Sequence, residues 1–349
     1  MRIAQIATVG TPVREHGAES VEGHVWLLTR ELTRLGHDVT VFAVAGSEVC
    51  GEVMETLPGP YAAAGSPHDW HLCEWINLCR AVEQSGRFDV LHSHAYLWGL
   101  PLDRLSQAPI VHTMHVTPYE DHARLWRLYP DACVTAISQY QWHRFPELHP
   151  RSVIHHGVDP AHFTFQSQPE DYVCYLGRFM ADKGPLQAVA TARELGIRIL
   201  LAGQRNDYYH EHIEPLVDGR TVEYVGYVTG ADKDTLLGGA RALLYPIQDP
   251  EPFGLVLIEA MMCGTPVVAM PLGAVPEIVE EGVTGYYARS TVDFPAQTLR
   301  SIRLDRNRIR ERAQMRFSVE RMALAYESLY KGLTIREPVA APRVMGQGL

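Results

Sequence analysis

Glu251 and Glu259 stand eight residues apart, with Gly254 and Leu255 between them, where a loop rich in Pro and Asp gives way to an apolar run. The run LVLIEAMM, residues 255–262, is apolar apart from Glu259 and is closed by Cys263-Gly264, so it predicts a short helix buried on every side. A carboxylate inside such a helix is costly to desolvate and needs a partner. The first free N–H groups of the helix, near Gly254 and Leu255, favour a phosphate through their donors and the helix dipole. Carboxylates repel a phosphate, so Glu251 and Glu259 are better suited to accept hydrogen bonds from hydroxyls, such as those of a ribose and a sugar. A nucleotide sugar combines these groups. The plainer alternative is that Glu259 is a structural carboxylate bonded to nearby backbone.

Two further sets of residues suit the same ligand. Arg178 and Lys183 lie in GRFMADKG, residues 177–184, just after an apolar strand-like run. A turn-forming Gly, a forked guanidinium and a flexible ammonium suit a diphosphate, each charge-assisted bond contributing roughly 1.5–3 kcal/mol. An isolated pair of this kind would read as two solvated surface cations. His92, His94, His112 and His115 follow two other strand-like runs and approach one sheet edge. Zinc uses such clusters. Here no nearby Asp, Glu or Cys completes a ligand set and strand alternation turns some of the four into the core, so no metal is expected.

The stretch EPFGLVLIEAMMCGTPVV, residues 251–268, resembles the signature of the retaining glycosyltransferases of family 4, which have the GT-B fold. The resemblance runs to about residue 333 and is densest over 170–288. It implies that Glu251 contacts the transferred sugar, that Glu259 holds the ribose hydroxyls, and that the loop and helix start at Phe253, Gly254, Leu255 and Val256 bind the donor. The family's G-R-x(4)-K-G places Arg178 and Lys183 on the donor diphosphate. Its T-x-H motif, here Thr113-Met114-His115, places His115 against the sugar, with His94 next in line. Base recognition in this fold is largely by backbone, here near Tyr227 and Val228. Where members usually have Gly-Gly-x-Glu, the chain has Gly17-Ala18-Glu19, and Gly17 is the expected donor contact. IHHGVD, residues 154–159, stands for the family's NGVD, with His156 in place of Asn.

The implied reaction moves a hexosyl group from a nucleoside diphosphate sugar, UDP-sugar first and GDP-sugar next, to a carbohydrate, lipid or small-molecule acceptor, with retention. No DxD-like motif stands in a suitable loop, so leaving-group charge falls to Arg178, Lys183 and the helix start, and no metal or other cofactor is expected. Two alternatives share the binding residues. One keeps the fold as a sugar phosphorylase or sugar-nucleotide epimerase; the other is a non-catalytic sugar-nucleotide-binding regulator, which the Ala18 and His156 departures leave open.

The elements that must position these residues follow from periodicity. Residues 3–9 predict a strand, the spacing of Val21, Val25, Leu28, Leu32 and Leu35 a helix, and 39–44 a second strand, the opening of a doubly wound parallel sheet. Ligands on such sheets bind beyond the carboxyl ends of the strands. Residues 46–70 show no period and read as loop. Further strands are expected near 89–92, 109–113, 133–138 and 152–155, with a helix near 70–84. After an unpatterned stretch near 160–170 the architecture repeats, with strands near 172–176, 199–203, 222–226, 242–245 and 266–270. The α/β expectation is GT-B: two Rossmann-like domains, 1–160 and 161–318, facing across a cleft, a last helix over 319–335 crossing back to the first, and a disordered tail over 336–349. Residues 300–316 hold seven Arg, read as an ordinary solvated helix face. Trp26, Trp70, Trp75, Trp98, Trp126 and Trp142 all lie in the first half, where an acceptor groove could use some of them.

The chain's 349 residues suffice for two ordinary cores, and a net charge of −10 argues against nucleic acid as main partner and limits membrane contact to the periphery. Six Cys without metal spacing read as reduced thiols of a cytoplasmic protein. MRIAQIATVG lacks the form of a signal peptide, and no run of 18 apolar residues occurs.

Overall fold

A computed structural model describes residues 1–15, 20–61 and 69–334. Apolar runs that are buried on both faces form its strands, as parallel sheets covered by helices require. The first sheet contains β1 (Arg2–Ile6), β2 (Asp38–Val44), β3 (Glu52–Leu57), β4 (Val90–Ser93), β5 (Ile110–Met114), β6 (Cys133–Ala136) and β7 (Ser152–Val153). The second contains β8 (Tyr172–Leu176), β9 (Arg198–Ala202), β10 (Val222–Gly226), β11 (Leu243–Tyr245), β12 (Val267–Ala269) and β13 (Gly285–Tyr287). Their orders are β3-β2-β1-β4-β5-β6-β7 and β10-β9-β8-β11-β12-β13, and every ladder is parallel. In each, strand order reverses once, between β1 and β4 and between β8 and β11. A crevice opens beyond the carboxyl ends at such a reversal. Two Rossmann-like domains in GT-B arrangement are therefore present.

Two strands depart from the expectation. β3 lies inside the stretch read as loop, and β13 was not anticipated. Both are edge strands, paired on one side only. Polar residues in EVMETL are tolerated on an edge, which hides the apolar alternation that marks a strand.

The helices are α1 (Ser20–Arg34), α2 (Trp70–Glu83), α3 (Glu120–Arg127), α4 (Pro185–Leu195), α5 (Gly230–Gly239), α6 (Leu255–Met262), α7 (Val275–Ile278), α8 (Phe294–Ser301), α9 (Arg306–Phe317) and α10 (Val319–Thr334). Val319, Met322, Ala323, Tyr326 and Tyr330 form one stripe of α10, buried with Ile3, Val25 and Leu28 of the first domain. Tyr326 Oη lies 3.1 Å from Thr113 Oγ1, and Tyr330 Oη lies 2.6 Å from His92 Nδ1. At the crossing, Val158 N–H donates to Phe317 O at 2.9 Å and Val319 N–H to Val158 O at 3.0 Å.

The Arg-rich stretch is only partly a solvated face: Arg300, Arg303 and Arg308 are exposed, but Arg306, Arg310, Arg312 and Arg316 are not. Arg306 is 8% exposed and its guanidinium donates to Gln166 O, Ala240 O, Gly238 O and Thr265 Oγ1 at 2.6–2.9 Å. Arg310 donates to Phe163 O at 2.8 Å, and Arg312 pairs with Glu280 at 2.6 Å. The forked donors satisfy carbonyls left open where loops end under α9, so charge runs along the sequence while the side chains serve backbone.

Candidate active site

The crevice of the second domain is a cavity of about 840 Å³, within the range of small-ligand sites. It opens at the strand-order reversal: Gly177 and Arg178 follow β8, and Tyr245 ends β11. Arg178 is exposed, and its guanidinium forms no ion pair among the described residues. Lys183 ends a short helical turn, Ala181–Lys183, and its Nζ pairs with Glu251 Oε1. Gly273, at φ +63°, supports the Glu251 loop from below; a Cβ there would collide with the Glu251 backbone, and Ala274 N–H donates to Glu251 O at 3.0 Å. Burial first, then the Glu251 carboxylate beside it, push the Tyr245 phenol well above its ordinary pKa.

Gly254 caps α6 at φ +103°, a left-handed conformation, and Gly254, Leu255 and Val256 at the start of the helix line the cavity. The helix is not buried all round, contrary to expectation. Leu255, Val256 and Glu259 share a half-buried flank that lines the cavity, while Leu257, Ile258 and Ala260 to Met262 face the core. Glu259 therefore reaches solvent space, and its partner is a side chain that spacing did not reveal: Lys233 Nζ on α5, at 2.6 Å. Tyr227 and Val228, between β10 and α5, complete the wall beside Lys233. Phe253 does not line the cavity. It is 2% exposed, with its ring 5.1 Å from that of His156 and 6.3 Å from that of Phe317. The reversal at Gly254 turns neighbouring side chains to opposite sides.

The four histidines of the first sheet separate into two pairs. His92 and His112 are fully buried: His92 Nε2 lies 2.6 Å from Thr113 Oγ1, and His112 Nε2 lies 2.7 Å from Asp103 Oδ1. His94 and His115, just past β4 and β5, meet with Nδ1 and Nε2 2.9 Å apart. Two more rings that sequence reasoning had not joined to them complete the group, His24 of α1 and His156 of the connector, whose Nδ1 atoms are 2.9 Å apart. Burial first, and neighbouring imidazoles after it, hold His24, His94, His115 and His156 well below the usual imidazole pKa. The rings are neutral near pH 7. His115 stacks on His156 at 5.3 Å, and His156 meets Phe253, so this cluster adjoins the α6 end of the cavity. Gly17, with Ala18 and Glu19, lies outside the described residues, as does the tail.

Two family profiles match the chain in succession, "Glycosyltransferase Family 4" over residues 21–162 and "Glycosyl transferases group 1" over 161–316. The chain belongs to glycosyltransferase family 4. The enzyme is 27% identical to the glycogen synthase of Mycobacterium tuberculosis, over 88% of this chain and 90% of that one. It is 28% identical to the D-inositol 3-phosphate glycosyltransferase of Mycolicibacterium smegmatis, over 81% and 79%. Among solved structures, the sucrose-phosphate synthase of Thermosynechococcus elongatus superposes with a TM-score of 0.79 at 22% identity, covering 95% of this chain and 98% of that one. The Anabaena HepE protein in complex with UDP and glucose gives 0.71 at 19%, covering 95% and 100%. These likenesses bear out the GT-B fold of the glycosyltransferase.

The glycosyltransferase thus brings Glu251, Glu259, Arg178, Lys183, Gly254, Leu255, Val256, Tyr227 and Val228 to one cavity, and sets His94 and His115 in the adjoining cluster. Lys233 was legible only as a polar residue. A cation 26 positions before Glu259 carries no local signal of the pairing.

Proposed function

We propose that this glycosyltransferase moves a hexosyl group from a nucleoside diphosphate sugar, UDP-sugar first and GDP-sugar next, to an acceptor with retention of anomeric configuration. The observation that carries the reading is the convergence of Arg178, Lys183 and the α6 amino end with two carboxylates, each already paired to a lysine, on one cavity. The diphosphate docks on the N–H groups at Gly254 and Leu255 and on Arg178. Lys183 then exchanges Glu251 for phosphate oxygens, which frees Glu251 to accept from sugar hydroxyls. Lys233 holds Glu259 so that its second oxygen accepts from the ribose. His115 stands at the sugar end and donates or accepts as a neutral ring.

In the transfer step the bond from C1 to the phosphate oxygen breaks, and the acceptor oxygen bonds C1 from the same face. The acceptor proton passes to the departing phosphate, so no protein nucleophile is consumed. Arg178, Lys183 and the helix start stabilise the charge that develops on the leaving group, and no cofactor takes part in this scheme.

A carbohydrate acceptor has the most support. Trp126 and Trp142 are core residues, but Trp70, Tyr96 and Trp98 form an aromatic group near the carboxyl edge of the first sheet, with Trp98 centred 5.0 Å from each of the others. Tyr96 holds φ +51°, a strained conformation for a bulky residue and one that concentrates at ligand sites. The proposal places the enzyme in the cytoplasm, where its cysteine thiols stay reduced. Among the described residues no helix is long and apolar enough to cross a membrane.

The test is transfer from a panel of UDP- and GDP-hexoses to oligosaccharide acceptors, with the product anomer read by NMR. Retention with one donor supports the proposal. An inverted product, or turnover that requires inorganic phosphate in place of an acceptor, would replace it.

A further inference from the structure

Glu22 of α1 and Glu74 of α2 converge beyond the carboxyl end of β1. Thr8 Oγ1 donates to Glu22 Oε1 at 2.8 Å, and Val9 N–H donates to Glu74 Oε1 at 3.0 Å. The two residues are 4% and 1% exposed. The second oxygen of Glu74, Oε2, is buried with no hydrogen-bond partner, and among the described residues no cation acts on this carboxyl. Glu251 and Glu259 of the other crevice differ on this point, since each has a lysine. A desolvated carboxyl beside a second one is poorly served in both protonation states: ionised, it lacks a counter-charge, and protonated, its O–H lacks an acceptor.

The aromatic group of the first domain adjoins these acids. Trp70 precedes Glu74 by four residues, so both lie on one face of α2, and Trp70 is 36% exposed where that face reaches solvent. Its ring is centred 6.2 Å from those of Tyr61 and Tyr96 and 5.0 Å from that of Trp98. Gly10 ties the rings to the carboxylates: a Cβ there would lie 3.1 Å from Tyr61 Oη and 3.4 Å from Glu22 Oε1. Burial first, then the Glu74 and Glu22 carboxylates, raise the Tyr96 phenol above its ordinary pKa, so its hydroxyl stands in the field of both. One recess therefore has aromatic walls and an acidic floor.

Resting on the reading of the chain as a transferase to a carbohydrate, we propose that the acceptor carries a protonated amine, held by Glu74 and Glu22 with its sugar ring against Trp70, Tyr96 and Trp98. An ammonium brings three N–H donors and the counter-charge that Glu74 lacks, and aromatic faces attract it further. A hydroxyl brings a single donor and no charge. Burial, above all, keeps the Glu74 proton on to about 7 in the free protein; the ammonium takes that proton's place, so the carboxyl ionises as the amine docks. An N-acetylated sugar offers neither charge nor a fork of donors. The recess thus separates free amino sugars from their amides and from neutral sugars.

The experiment titrates the full chain by calorimetry with glucosamine and galactosamine disaccharides, each in three forms: free amine, N-acetylated, and with hydroxyl in place of the amine. The wild type is expected to bind the amine form of at least one disaccharide tenfold or more tighter than both counterparts. Glu74→Gln and Glu22→Gln keep the shape of each side chain and should each reduce that preference to near unity, with urea melts showing that both variants fold. A merely structural role would weaken the three forms alike and leave the ratio unmoved. Equal binding of the three forms by the wild type, no binding of any amine form at millimolar concentration, or an amine preference kept by both folded variants would overturn the proposal. The readout is binding without turnover. Transfer to neutral sugars alone would sink the amine proposal and leave the transferase reading standing, whereas amine preference without transfer to any acceptor would do the reverse.

Discussion

The two crevices of this enzyme sit at equivalent places in equivalent sheets, yet they are built from opposite materials. The second-domain crevice is open and charged, with Arg178 exposed, Lys183 on Glu251 and Lys233 on Glu259. The first-domain crevice is packed with neutral rings, and Glu74 of α2 is 1% exposed and, among the described residues, accepts the Val9 N–H at 3.0 Å through one oxygen while the other has no hydrogen-bond partner. Burial, above all, pushes the Glu74 carboxyl up to about 7. Strand order fixes where a crevice opens; the loops at the carboxyl edge decide whether it offers fixed charge to a phosphate or a desolvated surface to a sugar.

The contrast can be broken from its charged side. Arg178→Ala combined with Lys183→Ala should lower kcat/KM by roughly 10²–10⁴, the loss of two charge-assisted bonds of about 1.5–3 kcal/mol each, as read in steady-state transfer kinetics. A desolvated first crevice makes the next effect one of stability. An unfolded Glu74 ionises near 4.5, while the folded one keeps its proton to about 7, so stability falls as pH rises between these values. Glu74→Gln removes that loss, and urea melts should show a gain of up to about 3 kcal/mol at pH 8 and little at pH 4.

Lys233→Met leaves Glu259 without its cation and should raise KM for the donor about tenfold, with a smaller change in kcat, if Lys233 orients the ribose acceptor. An effect of similar size is expected between the crevices, where Glu277 of α7 accepts N–H bonds from Gln139 and Tyr140 at 2.8 and 2.7 Å and lies 3.3 Å from His155 Nε2. Burial raises this carboxyl, but the bonds from His155, Gln139 and Tyr140 outweigh it and hold the pKa below 4.5. Its contribution is present above that value and lost as pH falls through the folded pKa. Glu277→Gln should cost about 1–2 kcal/mol at pH 7, and the difference from wild type should shrink in melts below pH 4.

Sequence disclosed these regions unequally, for physical reasons. The charged crevice is made of local loops, and GRFMADKG and EPFGLVLIE carry their chemistry at fixed short spacings. Strand order makes those spacings converge. Lys233 and the group formed by His24 and His156 with His94 and His115 depend on how separate elements pack, which no local spacing encodes. Phe253 shows the opposite failure: it adjoins the site in the chain, but the turn at Gly254 sends its ring into the core. Arg306 and Arg310 read as surface charge because composition does not show which carbonyls lie open beneath α9. The same limit hid β3, whose polar residues are tolerated only because it is an edge.

The central claim is that the second-domain crevice holds a nucleoside diphosphate through Arg178 and the α6 amino end. Calorimetric titration of UDP, GDP and ADP into the wild-type enzyme and into Arg178→Ala tests it most directly. The account predicts saturable one-site binding of one diphosphate by the wild type, weakened at least tenfold in the variant. No binding of any of the three to the wild-type enzyme, or equal affinity in folded Arg178→Ala, would contradict it.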